Sequence, residues 1–275
     1  MRYPAWTCAC ALVGGLIAAP SLAQVVDYSK YPAFAGQWDR IGGPNNWLLH
    51  GPAPLTAEYQ KVYDASKADQ KEGKVGNWPS TYCMPEGMPA MMNVYNPIEI
   101  VITPETTYLI TSHNNDEYRR IYTDGRDWPA DPERTLAGYS IGRWVDEGDG
   151  KYSALEVETR FLRGPRAYEV SGIPFHKDNQ TILKERFYLD KDPNTLWDDI
   201  TVFDHALTRP WGKLQKLVRK HDAQPKWLAE TCPEDSVWRK IGNETYVVNT
   251  ADGKLMPAYK DQPPPDLSYF SKPAK

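Results

Sequence analysis

In the stretch NPIEIVITP, residues 96–104, an isoleucine occupies every second position from 98 to 102, and Glu99, Val101 and Thr103 occupy the positions between and after them. In an extended chain Ile98, Ile100 and Ile102 share one face, and the residues between them share the other. This period of two is typical of a half-buried β-strand. The same pattern recurs along the chain, with turn signals such as Asp124-Gly125 between the segments. The further strand candidates are TTYLITSHN, DEYRRIYTDGR, KYSALEVETRFL, QTILKERFYLD, TLWDDITVFDH and WGKLQKLVRKH.

Short strands that follow one another without intervening helices indicate an antiparallel barrel or sandwich. We therefore predict an all-β domain over residues 81–250, built as an antiparallel lipocalin-like barrel or a strongly curved sandwich. Residues 24–80 are predicted to form an irregular N-terminal arm that carries one short helix. Residues 251–275 are rich in proline, which predicts an extended or disordered tail.

The helix is predicted within LTAEYQKVYDASKADQKEG, residues 55–73. Thr56 is a suitable N-cap, and Glu58 in the first turn favours the positive end of the helix dipole. Gly73 follows the last periodic residue, as is common at helix ends. A narrow stripe formed by Tyr59, Val62, Tyr63 and Ser66 is expected to pack against the rest of the protein.

The N-terminal residues have the pattern of an export signal. Arg2 precedes the apolar run CACALVGGLIAA, and Ser21 and Ala23 are the small residues that a signal peptidase requires. We expect residues 1–23 to be a signal peptide that is cleaved after Ala23, so the mature protein would be periplasmic or secreted. An uncleaved anchor is the alternative. The apolar run is too short to span a bilayer, and no membrane span is predicted.

Cleavage would remove two of the four cysteines and leave Cys83 and Cys232. In an oxidising compartment two cysteines most simply form one disulfide. On the loop-entropy model such a long closure contributes up to about 4–5 kcal/mol of stability. A free thiol is the alternative.

The composition argues against several classes of protein. The formal net charge is -4 and the chain has no basic block, so we predict no nucleic-acid partner. The H-E-x-x-H, G-x-S-x-G and phosphate-loop motifs do not occur. The five histidines are not paired at i,i+2 or i,i+4, so no metal site and no cofactor are predicted. The methionine-rich CMPEGMPAMM, residues 83–92, predicts an apolar plug rather than a copper site.

Strand alternation places some charged residues on apolar faces. Glu185 shares its predicted face with Leu183 and Phe187. Burying a lone charge costs several kcal/mol, so Glu185 is either a functional carboxylate or the partner of an inward arginine. Either Arg119 or its neighbour Arg120 must point inward, because consecutive strand residues face opposite sides.

The segment FDHALTRPWGKL, residues 203–214, contains an acid, Asp204, directly followed by an imidazole, His205. If the strand continues through His205, Asp204 and His205 point to opposite faces and cannot form a dyad. Asp204 is then expected to cap the following turn. His205 is a candidate general acid or base, with structural hydrogen bonding as the alternative. His113 and His176 lie in predicted turns and are expected to be surface histidines.

Aromatic rings and flanking charges give the candidate ligand-binding residues. The chain has ten tryptophans and seventeen tyrosines, which can line a binding site. Arg143 precedes Trp144, and a cation–π contact between the two is predicted. The full candidate set is Glu117, Arg119, Arg143, Trp144, Trp197, Phe203 and Trp211.

Four motifs, CMPEGMPAMM, EYRRIYTDGR, SIGRW and DHALTRPW, resemble those of a family of exported proteobacterial hypothetical proteins. The resemblance extends over about residues 81–239. It implies a periplasmic protein with a lipocalin-like β-barrel, and it implies no particular activity. Many members carry a D-x-x-G-H-x-H loop where this chain has RGPRAYEVSGIPFH, which leaves only His176. This departure argues against a two-histidine site.

These observations favour a periplasmic small-molecule-binding barrel with an aromatic-lined polar pocket. The alternative is a cofactor-independent and metal-independent acid–base enzyme, a lyase, isomerase or hydratase, in which Glu185 and His205 act with Arg119 as anion holder. A structural envelope protein is the second alternative.

Overall fold

The structure is a computed structural model. It describes residues 26–41, 51–74, 76–77, 85–94, 96–113, 115–163, 171–222, 236–241 and 244–249. The predicted signal peptide, the Cys83–Cys232 disulfide and the proline-rich tail lie outside the described residues.

Nine strands form a closed barrel in which every strand pairs with its neighbours in chain order. β1 and β9 pair antiparallel through Trp38 with Arg219 and Arg40 with Leu217, and these pairs close the barrel. The predicted all-β barrel is therefore confirmed. Its strands are β1 (Gly36–Arg40), β2 (Ile98–Ile102), β3 (Thr106–His113), β4 (Asn115–Tyr122), β5 (Tyr139–Asp146), β6 (Tyr152–Arg160), β7 (Ile182–Leu189), β8 (Thr195–Phe203) and β9 (Trp211–Arg219).

The barrel departs from a fully antiparallel arrangement at one point, between β4 and β5. These strands pair in parallel, and only through Ile121 with Ser140 and Tyr122 with Ile141. A parallel pair requires a crossover of about a dozen residues or more. Residues 123–138 provide it. We call this short parallel contact the β4–β5 seam.

The predicted irregular arm contains a barrel strand. β1 buries Trp38 completely, and the indole Nε1 donates a hydrogen bond to the carbonyl of Phe34 at 2.7 Å. The strand has five residues and only one large apolar side chain, so it offers no visible period of two. Its placement depends on pairing with β2 and β9, which are distant in the chain.

The predicted helix is confirmed as α1 (Ala57–Lys71). Thr56 is the N-cap, and its side chain accepts a hydrogen bond from the N–H of Tyr59 at 3.4 Å. Tyr59, Tyr63 and Ser66 are buried, whereas Val62 lies at the edge of the stripe and is exposed. Within the described part of the chain, no helix is long and apolar enough to cross a bilayer.

The methionine-rich segment enters the barrel. We call residues 85–94 the plug; Met88, Met91 and Met92 are each at most 1% exposed and belong to the hydrophobic core. The N–H of Gly87 donates to Glu117 on β4. Near the other end, the carbonyl of Met92 accepts from Gln215 on β9. Since β1, β2 and β3 lie between β4 and β9, the plug crosses the interior. The sequence predicted its apolar character but not this path.

Side chains alternate along the strands as predicted. On β7, Leu183, Glu185 and Phe187 are buried, and Lys184 and Arg186 lie toward solvent. The alternation continues across the register of β7 and β8, where Glu185 lies opposite Ile200. The barrel wall therefore has a mostly apolar inner face that carries a few charged groups.

Two further strands, β10 (Ser236–Ile241) and β11 (Glu244–Asn249), form a separate antiparallel pair. They fall within the predicted barrel domain of residues 81–250. Their sheet is distinct from that of β1–β9.

Candidate functional site

A cavity of about 610 Å³ opens at the β4–β5 seam. Because the two strands share only two residue pairs, residues 129–138 of the crossover cover the space beside β4. We call this cavity the seam pocket. It lies in the barrel wall rather than at the barrel mouth, where barrels usually bind ligands. Its lining includes Glu117, Tyr118, Arg120, Tyr122, Arg134 and Tyr139.

Glu117 lies at the inner end of the seam pocket. It points to the inner side of β4 and is only 8% exposed. Its Oε1 accepts a hydrogen bond from the N–H of Gly87 at 2.7 Å. Burial raises the pKa of Glu117 to about 7, although hydrogen bonds from the N–H groups of Gly87 and Glu86 act in the opposite direction. This carboxyl therefore changes charge near neutral pH.

Tyrosines and cations line the outer part of the seam pocket. The rings of Tyr122 and Tyr139 are 4.9 Å apart, and the guanidinium of Arg126 lies 3.9 Å from the centre of the Tyr122 ring. Tyr118 is exposed, with the guanidinium of Arg120 at 4.9 Å from its ring centre. A flat ligand would therefore contact the edges of these rings, or take the place of a guanidinium on a ring face.

Arg119, and not Arg120, is the inward arginine, and it forms an ion pair with Glu185. Its Nη1 donates to Oε1 of Glu185 at 2.9 Å, and its Nη2 donates to Oε2. The remaining donors reach Ser140 at 3.0 Å and Thr159 at 2.8 Å. A bidentate pair with these additional partners is a satisfied buried network. Of the two roles predicted for Glu185, the structure thus supports the second, in which it is the partner of an inward arginine.

Asp198 is a buried acid that the sequence reasoning did not single out. It lies on the inner face of β8 and is fully buried, and within the described part of the chain neither carboxyl oxygen has a hydrogen-bond partner. Burial, followed by the nearby Glu185, raises the pKa of Asp198 well above its ordinary range, against the opposing effect of Arg119 and Lys213. Its inward position could have been predicted from the sequence, because Asp198 alternates with Leu196 and Ile200 on the same face of the strand.

β8 ends at Phe203, so Asp204 and His205 lie in the turn that follows. The Oδ1 of Asp204 accepts from the N–H of Ala206 at 2.8 Å and from the N–H of His176 at 3.0 Å. Its Oδ2 accepts from the hydroxyl of Thr181. The predicted capping role of Asp204 is confirmed, and the residue also ties the turn to the segment before β7.

His176, Asp178 and His205 form a surface group that we call the His–Asp cluster. The Nδ1 of His205 donates to Oδ2 of Asp178 at 2.6 Å, and the two imidazole rings are 5.7 Å apart. This hydrogen bond raises the pKa of His205. Partial burial raises the pKa of Asp178, but hydrogen bonds from His205, the N–H of Gln180 and His176 outweigh it and lower the pKa to about 2.

This cluster could not be recognised in the sequence because its two histidines are far apart in the chain. The β7–β8 hairpin brings them together: Ile182 at the start of β7 pairs with Phe203 at the end of β8. Residues just before β7 and just after β8 must therefore be neighbours. The strand register was the signal that could have revealed the cluster.

Glu185 and His205 are not brought together. Glu185 is buried inside the barrel with Arg119, whereas 70% of the His205 side chain is exposed on the outside, next to Asp178. The barrel wall separates the two groups. They do not share an acid–base site.

The predicted contact between Arg143 and Trp144 is wrong. Consecutive strand residues face opposite sides, so Arg143 points to solvent and donates to Glu156 at 2.6 Å. Trp144 packs inward against aromatic rings, with Tyr31 at 5.1 Å and Phe34 at 5.7 Å between ring centres.

The other candidate ligand-binding residues also divide between the two faces of the wall. Trp211 is buried inside. Trp197 lies outside, where its Nε1 donates to Asp190 at 2.7 Å, and Phe203 is exposed at the end of β8. Of the predicted set, Glu117 lines the seam pocket. The predicted aromatic wall is therefore not one surface.

Comparison with protein-family models found no match, and searches of curated proteins and of solved structures found no significant match either.

Proposed function

We propose that this protein is a small-molecule-binding barrel whose ligand occupies the seam pocket. The observation that carries the proposal is a cavity of about 610 Å³ in the barrel wall, with a buried carboxyl at its inner end and tyrosines on its sides. Ligand pockets usually measure about 300–1,000 Å³ and combine such surfaces with a few polar groups.

The lining favours an aromatic ligand that carries a basic group. The rings of Tyr118, Tyr122 and Tyr139 line the pocket, and a flat ring can contact their edges or replace the guanidinium groups that lie over Tyr118 and Tyr122. The carboxyl of Glu117 can accept a hydrogen bond from the ligand, and an amine or amidine would favour its ionised form. Three arginines, Arg120, Arg134 and Arg163, also line the pocket, together with the acidic Asp116 and Glu133.

A second concave surface, of about 430 Å³, lies on the outside of β5–β8 and supports binding less well. Its charged residues pair with one another. Arg143 and Arg186 both donate to Glu156, and Lys184 lies 3.7 Å from Glu158. We call this surface the outer groove. A ligand there would have to compete with existing ion pairs.

The test uses benzamidine-type probes with matched benzoate-type probes, titrated against the full chain. We expect the amidine to bind more tightly, and its affinity to rise between pH 6 and pH 8 as Glu117 ionises. Glu117→Gln should weaken amidine binding by about tenfold or more, because a charged hydrogen bond contributes about 1.5–3 kcal/mol.

Glu158→Gln makes the same chemical change in the outer groove and should leave amidine affinity unchanged. If Glu117→Gln and Glu158→Gln bind the probe equally well, the seam pocket is not the site. If no small molecule binds wild type, the structural envelope alternative is favoured.

We also propose that the chain is exported to the periplasm and belongs to the family that its motifs resemble. The apolar run after Arg2 and the small residues Ser21 and Ala23 support export. Intact-mass measurement on the periplasmic fraction should give a chain that begins at Gln24. A full-length chain found only in the cytoplasmic fraction would contradict this.

A further inference from the structure

The His–Asp cluster combines the donor atoms that transition metals prefer. His176, Asp178 and His205 each offer one ligand atom, and these three atoms lie within 4.8 Å of one another. The carboxylate lies between the two imidazoles, with the Nδ1 of His176 at 2.9 Å from Oδ1 and the Nδ1 of His205 at 2.6 Å from Oδ2. A single ion can therefore reach all three after small side-chain rotations, which must also release the Nδ1 of His176 from the N–H of Asp178 that now donates to it at 3.1 Å.

The backbone that carries the cluster is held in place by other residues. Asp204 accepts hydrogen bonds from the N–H groups of His176, which belongs to the cluster, and of Ala206, which follows His205. Tyr59 of α1 packs its ring 5.0 Å from His176, and its hydroxyl oxygen accepts from the N–H of Lys177 at 2.9 Å. Metal ligands held by such supporting contacts lose little freedom on binding.

We propose that His176, Asp178 and His205 bind one divalent transition-metal ion, with Zn²⁺ and Cu²⁺ as the best-matched ions. Two imidazole nitrogens and one carboxylate oxygen suit these ions, whereas Ca²⁺ and Mg²⁺ prefer oxygen ligands throughout. Three protein ligands leave coordination positions for water or another small ligand.

Space for such an additional ligand exists beside His205. His205 lines a pocket of about 330 Å³ whose other walls include Thr208, Arg209 and Pro210. None of the three cluster residues lines the seam pocket. The metal site and the seam pocket are thus independent, and either can fail without the other.

The experiment uses the full chain, purified without a polyhistidine tag, with Zn²⁺ titrated by calorimetry and Cu²⁺ followed by electron paramagnetic resonance. We expect one high-affinity ion per chain, and a Cu²⁺ spectrum with nitrogen coupling from two imidazoles. His205→Ala should weaken Zn²⁺ binding by at least about tenfold and leave coupling from one imidazole. Asp178→Asn should weaken Zn²⁺ binding by a similar factor.

His221→Ala is the matched control, because His221 is an exposed histidine that contacts Asn194 at 3.1 Å, away from the cluster. It should bind Zn²⁺ as wild type does. Circular dichroism of each variant confirms that it is folded, and the high exposure of His205 makes its replacement mild for the fold. The proposal is overturned if wild type binds no Zn²⁺, or if His205→Ala and His221→Ala bind it equally well.

Discussion

Glu117 is a carboxylic acid placed where water reaches it poorly, and its pKa of about 7 makes stability depend on pH. The folded protein holds this proton more tightly than the unfolded chain, so stability falls as pH rises from about 4.5 to about 7. The total loss is roughly 3 kcal/mol, at 1.36 kcal/mol for each pH unit. Glu117→Gln keeps an acceptor for Gly87 and should remove this loss. Urea unfolding at pH 4.5, 6 and 8 measures this loss of stability, and Glu158→Gln is the control variant. If wild type and Glu117→Gln lose stability in parallel as pH rises, Glu117 is not the cause.

The Arg119–Glu185 pair also has consequences that can be measured. Glu185→Ala leaves a buried guanidinium without its anion, so we expect a loss of about 3–5 kcal/mol. Replacing both residues with apolar ones of similar size, as in Arg119→Met with Glu185→Leu, should recover most of that loss. Chemical denaturation of the single and double variants gives the comparison. A double variant as unstable as the sum of the two single changes would show that the pair is not the relevant unit.

At the scale of elements, the plug depends on a glycine. Gly87 has φ of +64°, and a Cβ added there would lie 2.5 Å from the carbonyl oxygen of Leu136. That same oxygen accepts a hydrogen bond from the N–H of Met88 at 3.0 Å, so neither group can easily move. Gly87→Ala should therefore lower the free energy of unfolding by more than the strain of an alanine in the left-handed backbone conformation alone.

Gly125→Ala is the matched control for this substitution. Gly125 has φ of +77° and no atom within 4 Å of an added Cβ. We expect Gly125→Ala to lower the free energy of unfolding by about 1–2 kcal/mol through backbone strain. Gly87→Ala should lower it by about 1–3 kcal/mol more, because of the additional clash. Thermal unfolding of both variants tests this. Equal losses of stability in the two variants would mean that the close contact between the plug and the crossover does not add to the effect of Gly87→Ala.

The strands that could be predicted are those whose side chains alternate visibly in the sequence, as on β2, β7 and β8. The helix was predictable because Thr56 and Gly73 mark its limits. β1 and the parallel β4–β5 contact were not, because both depend on pairing between segments that are distant in the chain. The same reason explains why the inward Glu185 could be predicted from its own strand, whereas the contact between His176 and His205 could not.

At the scale of the whole molecule, a closed barrel holds an internal plug, and its least complete contact is the β4–β5 seam. The plug fills part of the space that a lipocalin-like barrel would offer to a ligand at its mouth. The seam pocket instead lies at the β4–β5 contact, where Glu117 joins the plug to β4. The location of the proposed site thus follows from the topology of the barrel, while its chemistry follows from the side chains.

The most direct test of ligand binding at the seam is a fragment screen observed by protein NMR, with benzamidine-type and aniline-type probes and assigned backbone amides. We expect shift changes that cluster at Tyr118, Leu136 and Tyr139, and that require at least about tenfold more probe in Glu117→Gln. Shift changes confined to the outer groove, around Arg143 and Lys184, or no shift changes with any probe, would contradict this expectation.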